Sequence, residues 1–463
     1  MVYGLNPNRN TLSPSVARDI VIVGGGFTGA SLACALADGR RRILVLEARE
    51  GRGPRFAGEL IHPTGVDVLD RLGLLDALKQ AGAVDVDGFA IGMIGRATTH
   101  LRYADIDGGR PHGLAIEHHD MVGVLRREAA VRPGVEIRYG TKVSDLVRDG
   151  DRVTGVHTDD GGEIRADLTL VAEGRHSLLR PYVATGESCR LVAYNAALSV
   201  DAAELPEGRN GHIVLGAPGP ILAYPIATVG SERHRVRMCF DFPALPEDGR
   251  GVARIAAAIR EHYLPLVPEP LRMAAARALD ERKPELAACH AISTRRCVQA
   301  GVALVGEAGG CSHPITAAGM TVCLTDVRIL AEELGRAASL QQALARYQAR
   351  RYRFARAREV LAEALYEAFL AGTDGTRAIR EGIFSYWAAE RRARVASLAL
   401  LSGADSRLGN FLAEYWRVVG HGMERSLRGA VPGQDGRSVG RWSALRGLVG
   451  MSLEKLGRAV WRS

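Results

Sequence analysis

The feature that most limits what this chain can become lies at residues 19–47. An apolar run, Ile20-Val21-Ile22-Val23, leads into Gly24-Gly25-Gly26-Phe27-Thr28-Gly29 and then into a helix-favouring stretch, 30–37. Apolar residues in an unbroken run closed by glycine read as a parallel strand buried on both faces. Gly24, Gly26 and Gly29 have the spacing G-x-G-x-x-G. In that spacing the first glycine allows a tight turn, the second admits a pyrophosphate close to the backbone, and the third lets helix and strand pack closely. The helix start then offers unbonded N–H groups and the positive end of its dipole to phosphates. A second apolar run, 43–46, ends at Glu47, a carboxylate placed to accept hydrogen bonds from ribose hydroxyls. Strand, turn, helix and acid together predict a dinucleotide site. Its nearness to the N-terminus favours FAD over NAD, although the residues alone leave both open.

The remaining pattern alternates between periods. Val66, Leu69, Leu72, Leu75 and Leu78 predict one helix over 64–81, and another fits 120–130. Short strands are predicted at 135–138, 153–158 and 168–171. Residues 190–242 change character, with antiparallel strand patterns at 221–226 and 235–240. A buried-strand pattern returns at 302–305, followed by Gly306, Pro314 and Gly319 and a helix to about 334. Residues 340–430 read as wholly helical. The expected fold is α/β, with a Rossmann-type unit built from 19–185 and 296–338. A β-rich substrate unit, 186–295, is inserted into it, and 339–463 form a helical C-terminal unit.

Composition narrows the function classes. Aromatic residues make up 5% of the 463, which argues against a nucleic-acid stacking platform, and no nucleic-acid motif is visible. The seven cysteines are odd in number and form no C-x-x-C pair, so neither a metal centre nor a disulfide framework is expected, as suits a reducing cytoplasm. Residues 1–15 are polar, with no apolar signal core, and no apolar run is long enough to span a bilayer. The tail places Trp442, Leu445, Val449, Leu453, Leu456 and Val460 on one helical face, decorated by Arg441, Arg446, Lys455, Arg458 and Arg462. Such a basic amphipathic helix either lies on a membrane surface or docks on the protein's own core. The net charge of +8 fits an anionic membrane face without requiring one.

Four segments carry a family resemblance. Gly58-Glu59-Leu60-Ile61-His62-Pro63, the stretch 168–180 with Glu173-Gly174 and Ser177, the stretch 306–325 with His313-Pro314-Ile315-Thr316-Ala317-Ala318-Gly319-Met320-Thr321-Val322, and the helical stretch 364–403 resemble squalene monooxygenase (squalene epoxidase). That family lies within the larger hydroxybenzoate-hydroxylase-like flavoprotein group. The resemblance spans about residues 19–425. It implies FAD, molecular oxygen, NAD(P)H as direct or indirect electron donor, and oxygen insertion into an apolar isoprenoid. The residues it assigns to FAD are Gly24, Gly26, Phe27, Thr28, Gly29, Glu47, Ala48, Arg55, Lys142, Gly306, Glu307, Pro314, Ala318, Gly319 and Met320. His62 is the expected catalytic side chain, bonding the flavin N5 side or delivering a proton.

The departures concentrate beside the expected reaction centre. His62 stands where the family has Gln, Phe89 where it has Tyr, and Ala317 and Ala318 where it has Gly. Glu replaces Asp at 173 and 307. They point to a substrate other than squalene, such as a prenylated secondary metabolite, oxygenated through a flavin C4a-hydroperoxide. An isoprenoid double-bond reductase of the same fold, or a non-catalytic flavin- or lipid-binding protein, are the alternatives. No second G-x-G-x-x-G is visible for NADPH, so electrons come either from NADPH bound transiently at the flavin or from a separate reductase, and the sequence leaves both open. The enzyme is expected in the cytoplasm, peripheral at the inner face of the membrane.

Overall fold

The computed structural model describes residues 18–51, 57–230, 233–246, 251–433 and 439–461. Arg55 and residues 1–17 lie outside the described residues, as do the side chains of 453–463.

The first sheet is built around the glycine turn. Its centre is the strand Arg18–Val23, paired in parallel with Ile43–Leu46 on one side and Glu163–Val171 on the other. Val135–Arg138 and Val302–Leu304 extend it outward, also in parallel. Burial on both faces explains the unbroken apolar runs: Val21, Ile22, Ile43 and Val45 are fully buried. The helix Phe27–Leu36 packs on this sheet against His118–Ala130 and Gly319–Arg336.

One expected helix is two. Pro63–Arg71 and Leu75–Gln80 are separated at Gly73, which takes φ +70°. A glycine that adopts the left-handed conformation ends one helix, so the leucine spacing continues while the backbone turns.

The second sheet runs in the spatial order Glu285–Ser293, Ser188–Ala202, Arg233–Phe242, Ile221–Val229, Gly211–Leu215, Gly88–Met93, Thr99–Arg102. The last two strands come from a stretch that the segment reading places in the first unit. Gly88–Met93 joins in parallel to Gly211–Leu215, with Phe89 opposite Gly211. Alternation assigns the two faces. Leu198, Val200, Met238 and Phe240 pack under the helices Val252–Ala258 and Leu271–Glu281. Ala193, Ala197, Ile213 and Cys239 face the C-terminal helices.

Those helices are Leu340–Leu370, Asp374–Ala389, Arg391–Ser402, Leu408–Leu427 and Arg441–Trp461. The longest begins at Ser339, whose hydroxyl accepts the Gln342 N–H, and the next begins with a Thr373–Thr376 capping box. Arg441–Trp461 docks on Asp374–Ala389 through small residues: Ala444, Leu448 and Ser452 are buried, and Gly447 lies directly on Gly375. Trp442 and Val449 remain 75% and 47% exposed, so an apolar stripe persists on the outer side. No helix of the described residues is long and apolar enough to cross a membrane.

Arg351 on the long helix ties this region to the first sheet. Its Nε donates to Asp326 Oδ2 at 2.9 Å, and the same oxygen accepts the Gly306 N–H at 3.0 Å. Both side chains are buried. Removing one partner of a buried pair leaves an uncompensated charge, at about 3–5 kcal/mol. Arg351→Met is therefore expected to lower unfolding free energy by about that amount. Denaturant titration checks this, and a loss below about 1 kcal/mol would show that Asp326 is satisfied without the arginine.

Candidate functional site

The glycine turn is a cradle. Gly24 takes φ +98°, and a β-carbon there would lie 2.7 Å from the Ala172 carbonyl oxygen; a β-carbon on Gly29 would sit 1.8 Å from the Gly24 oxygen. At Gly26 a β-carbon would meet nothing within 4 Å, so the backbone there is open on its outer side. Gly26 is the N-cap of Phe27–Leu36 and offers no capping side chain. The first N–H groups of that helix therefore look for an outside acceptor. A pyrophosphate fits this geometry.

Glu47 Oε2 accepts the Gly25 N–H at 3.0 Å and an Arg126 N–H at 2.6 Å. Arg126 also donates to the Gly25 carbonyl. The acid thus holds the turn as well as standing at its edge. Ala48 is exposed beside it, and exposed Lys142 follows Thr141, whose N–H donates to the Glu47 carbonyl. Sequence reasoning missed Arg126, since nothing in a helix of mixed charge marks one arginine as turned inward.

The second and third resemblance segments meet each other beside this turn. Gly306 takes φ +65° and packs on Thr28, where a β-carbon would lie 2.6 Å from the hydroxyl. Glu307 pairs with Arg175 at 3.2 Å. Buried Arg180 donates through Nε to the Ala308 carbonyl at 2.9 Å and joins the 174–180 turn to the 306–309 turn. Glu173 accepts from the Ser177 hydroxyl at 2.7 Å, so the extra methylene at that position serves a local turn.

A cleft, partly open to solvent, lies between these turns and the second sheet. Glu307, Pro314, Gly319 and Met320 line one side, with Gly58 close against Met320. Ala318 is buried behind them. The opposite wall is written with period two: Cys239 and Asp241 on one strand, Leu222 and Tyr224 on the next, Ala287 and Cys289 on the edge. Burial pushes the thiols of Cys239, Cys289 and Cys311 up to about 12, so they stay uncharged. Glu59 enters the same wall as half of a bidentate pair, with Arg237 donating to its two oxygens at 2.8 and 2.7 Å. His313 is buried at the rim, stacked on Tyr366 at 3.6 Å, with Nδ1 accepting the Ile315 N–H. Ala317, at φ 50°, holds a left-handed conformation that glycine adopts without strain.

His62 does not reach the cleft. It is fully buried; its Nε2 lies 2.9 Å from the Thr316 carbonyl and its Nδ1 2.6 Å from the Tyr103 hydroxyl. A carbonyl only accepts, so the proton sits on Nε2, and Nδ1 accepts from Tyr103. Burial, with the Arg358 charge second, depresses its pKa to about 3. This corrects the reading of His62 as a proton donor: both nitrogens are committed, and the Thr316 backbone stands between the ring and the cleft. Phe89 packs beside the ring at 5.9 Å. The hydroxyl absent from Phe89 is supplied by Tyr103, from a turn that sequence reasoning passed over.

Next to the cleft lies a second pocket, almost wholly apolar and partly open to solvent. Ile91, Leu101, Leu361, Phe369, Trp387 and Phe411 are among the residues that line it.

This arrangement is that of the FAD-dependent monooxygenases. Pseudomonas aeruginosa PqsL, in complex with 2-aminobenzoylacetate, matches it with TM-score 0.66 at 22% identity, over 77% of this chain and 97% of that one. The flavin-dependent brominase Bmp2 matches with TM-score 0.67 at 18% identity, over 87% of this chain and all of that one. These likenesses establish the fold. The squalene epoxidase family model matches residues 165–428, and an NAD(P)-binding Rossmann-like model matches 22–70. Squalene epoxidase 3 of Arabidopsis thaliana is 31% identical over 425 residues, 88% of this chain and 79% of that protein. Squalene monooxygenase SE2 of Panax ginseng is 31% identical, over 88% of this chain and 76% of that protein. The chain belongs to the squalene epoxidase family. It is a flavin monooxygenase that works with FAD, NAD(P)H and O2.

Proposed function

We propose that this enzyme inserts one oxygen atom, by epoxidation or hydroxylation, into an apolar prenylated or polyene substrate other than squalene. The observation that carries the reading is the apolar chamber beside the cleft, walled by leucine, isoleucine and aromatic side chains. A long hydrocarbon tail gains about 25 cal/mol per Å² on entering such a space.

The open turn at Gly26, the helix start at Phe27 and Thr28, and the edge formed by Glu47, Ala48 and Lys142 would hold the adenosine and pyrophosphate of FAD. Gly306, Glu307, Pro314, Ala318, Gly319 and Met320 would hold the ribityl chain and flavin ring. When bound, the flavin supplies the reduction of O2 and the transfer of one oxygen atom. The protein's own share is placement and exclusion of water. The Gly319–Arg336 helix start directs N–H groups at the cleft, and the buried Cys239 thiol stays uncharged on the opposite wall. His62 acts as a positioning residue, fixing the Thr316 carbonyl and with it the 314–319 turn.

Electrons come from NAD(P)H directly or through a separate reductase. The exposed stripe of Trp442 and Val449, beside Arg441 and Arg446, supports a peripheral seat at the inner face of a membrane, from which an oily substrate is drawn.

The test is incubation of FAD-loaded protein with prenylated aromatic and polyene compounds, NAD(P)H and isotopically labelled O2. A product carrying one labelled oxygen is expected. Saturation of a double bond under anaerobic conditions, with no labelled product in air, would replace this reading with the reductase one.

A further inference from the structure

Arg358 is out of balance. It is 4% exposed, on the long helix Leu340–Leu370, and lines the cleft. Among the described residues no carboxylate lies within ion-pairing distance of it. Buried arginines elsewhere do have one: Arg237 has Glu59, and Arg351 has Asp326. Arg358 has neutral acceptors instead. Its Nη1 donates to the Leu400 and Leu401 carbonyls at 2.7 and 2.8 Å, and its Nη2 to the Thr316 hydroxyl at 3.3 Å. Leu400 and Leu401 line the apolar chamber, as does Leu361 one turn along the same helix. Arg358 therefore stands at the partition between chamber and cleft. Its charge is costly to bury without a counter-ion. Burial lowers its pKa to about 10, which leaves it charged at neutral pH.

We propose that Arg358 binds an anionic oxygen of the substrate, so the substrate is an amphiphile with an acidic or enolic head at this partition and an apolar tail in the chamber. The inference rests on the flavin-monooxygenase reading only for the word substrate. It separates this enzyme from one acting on a pure hydrocarbon, which would leave the guanidinium unanswered. Planar N–H donors suit a carboxylate, a phenolate or an enolate oxygen, and two carbonyls and a hydroxyl hold the fork in place before the ligand arrives.

The test compares dodecanoate with methyl dodecanoate at submicellar concentrations, by calorimetric titration of protein purified with added FAD. The wild type is expected to bind the acid at least about tenfold more tightly than the ester, about 1.4 kcal/mol. Arg358→Lys is expected to keep a preference of the same sign. Arg358→Met is expected to abolish it while ester affinity stays within about threefold. Equal binding of acid and ester by the wild type would overturn the proposal, as would a preference that survives in Arg358→Met. A lowered flavin midpoint potential in Arg358→Met, with the acid preference intact, would give the charge to the reduced flavin instead and also overturn it. Flavin content is read separately. A protein that prefers the acid through Arg358 yet takes up no FAD would keep this proposal and remove the one beneath it.

Discussion

Gly29→Ala is expected to yield a colourless protein. The added methyl would lie 1.8 Å from the Gly24 carbonyl oxygen, a backbone atom with no room to retreat because Gly24 itself lies against Ala172. Helix and strand must separate, and the N–H groups that face the open side of the turn lose their common aim. Overpacking of this kind costs about 1–3 kcal/mol of stability, and FAD affinity is expected to fall by more than about tenfold, that is by more than about 1.4 kcal/mol. Gly26→Ala is the sharper companion. Its methyl meets nothing within 4 Å, and its φ of −70° suits any residue, so folding stability is expected to be unchanged within about 0.5 kcal/mol. FAD binding is expected to weaken all the same, because the methyl fills the space a pyrophosphate needs. Flavin absorbance and thermal unfolding, measured on both variants, check the pair. A Gly26→Ala protein with wild-type FAD affinity would place the pyrophosphate elsewhere.

Acid is expected to destabilise the protein through His62. The folded pKa is about 3, depressed by burial and then by Arg358, against about 6.5 in the unfolded chain. Above about pH 6.5 the imidazole is neutral in both states and contributes no pH dependence. As pH falls below that value the unfolded chain takes up a proton that the folded one refuses. Stability is then lost at up to about 1.4 kcal/mol per pH unit until the folded pKa is reached. His62→Gln keeps a donor and an acceptor but removes the titration. Denaturant unfolding of both proteins at about pH 7, 6 and 5 should give lines that diverge, with the variant losing less. Parallel lines would mean that His62 accepts its proton inside the fold, and its reading as a fixed neutral bridge would fail.

The parts of this protein legible in sequence are those coded by local repetition. Ile20 to Val23 and Ile43 to Leu46 announce a doubly buried strand because both faces demand apolar residues. Gly24, Gly26 and Gly29 announce the turn because backbone crowding admits nothing larger at two of the three. The strand Gly88–Met93 was not legible. Two glycines blur its period, and its parallel partner, Gly211–Leu215, lies far along the chain, where no local rule specifies pairing. The inward-turned arginines were equally silent. Arg126, Arg180, Arg351 and Arg358 are written in the same letters as the many arginines on the surface, and only the packing of distant segments turns them inward. His62 does a different job from the proton donor that the sequence suggests, because its environment depends on Tyr103 and Thr316, remote in sequence. Domain limits drawn along the chain fare as such limits must when strands from one segment complete the sheet of another.

The helix Leu340–Leu370 has a mechanical consequence. At 31 residues it is a rod about 46 Å long. Near its start Tyr347 donates to the Leu304 carbonyl of the first sheet, in mid-course Arg358 reaches Leu400, and near its end Tyr366 donates to Asp241 of the second sheet. A beam fastened at three points resists bending between them. The two sheets are thus held at a fixed span, and a hinge closing one upon the other would have to snap the beam or strip its fastenings. Traffic into the cleft must pass through loops and side chains at its rim, with the frame standing still.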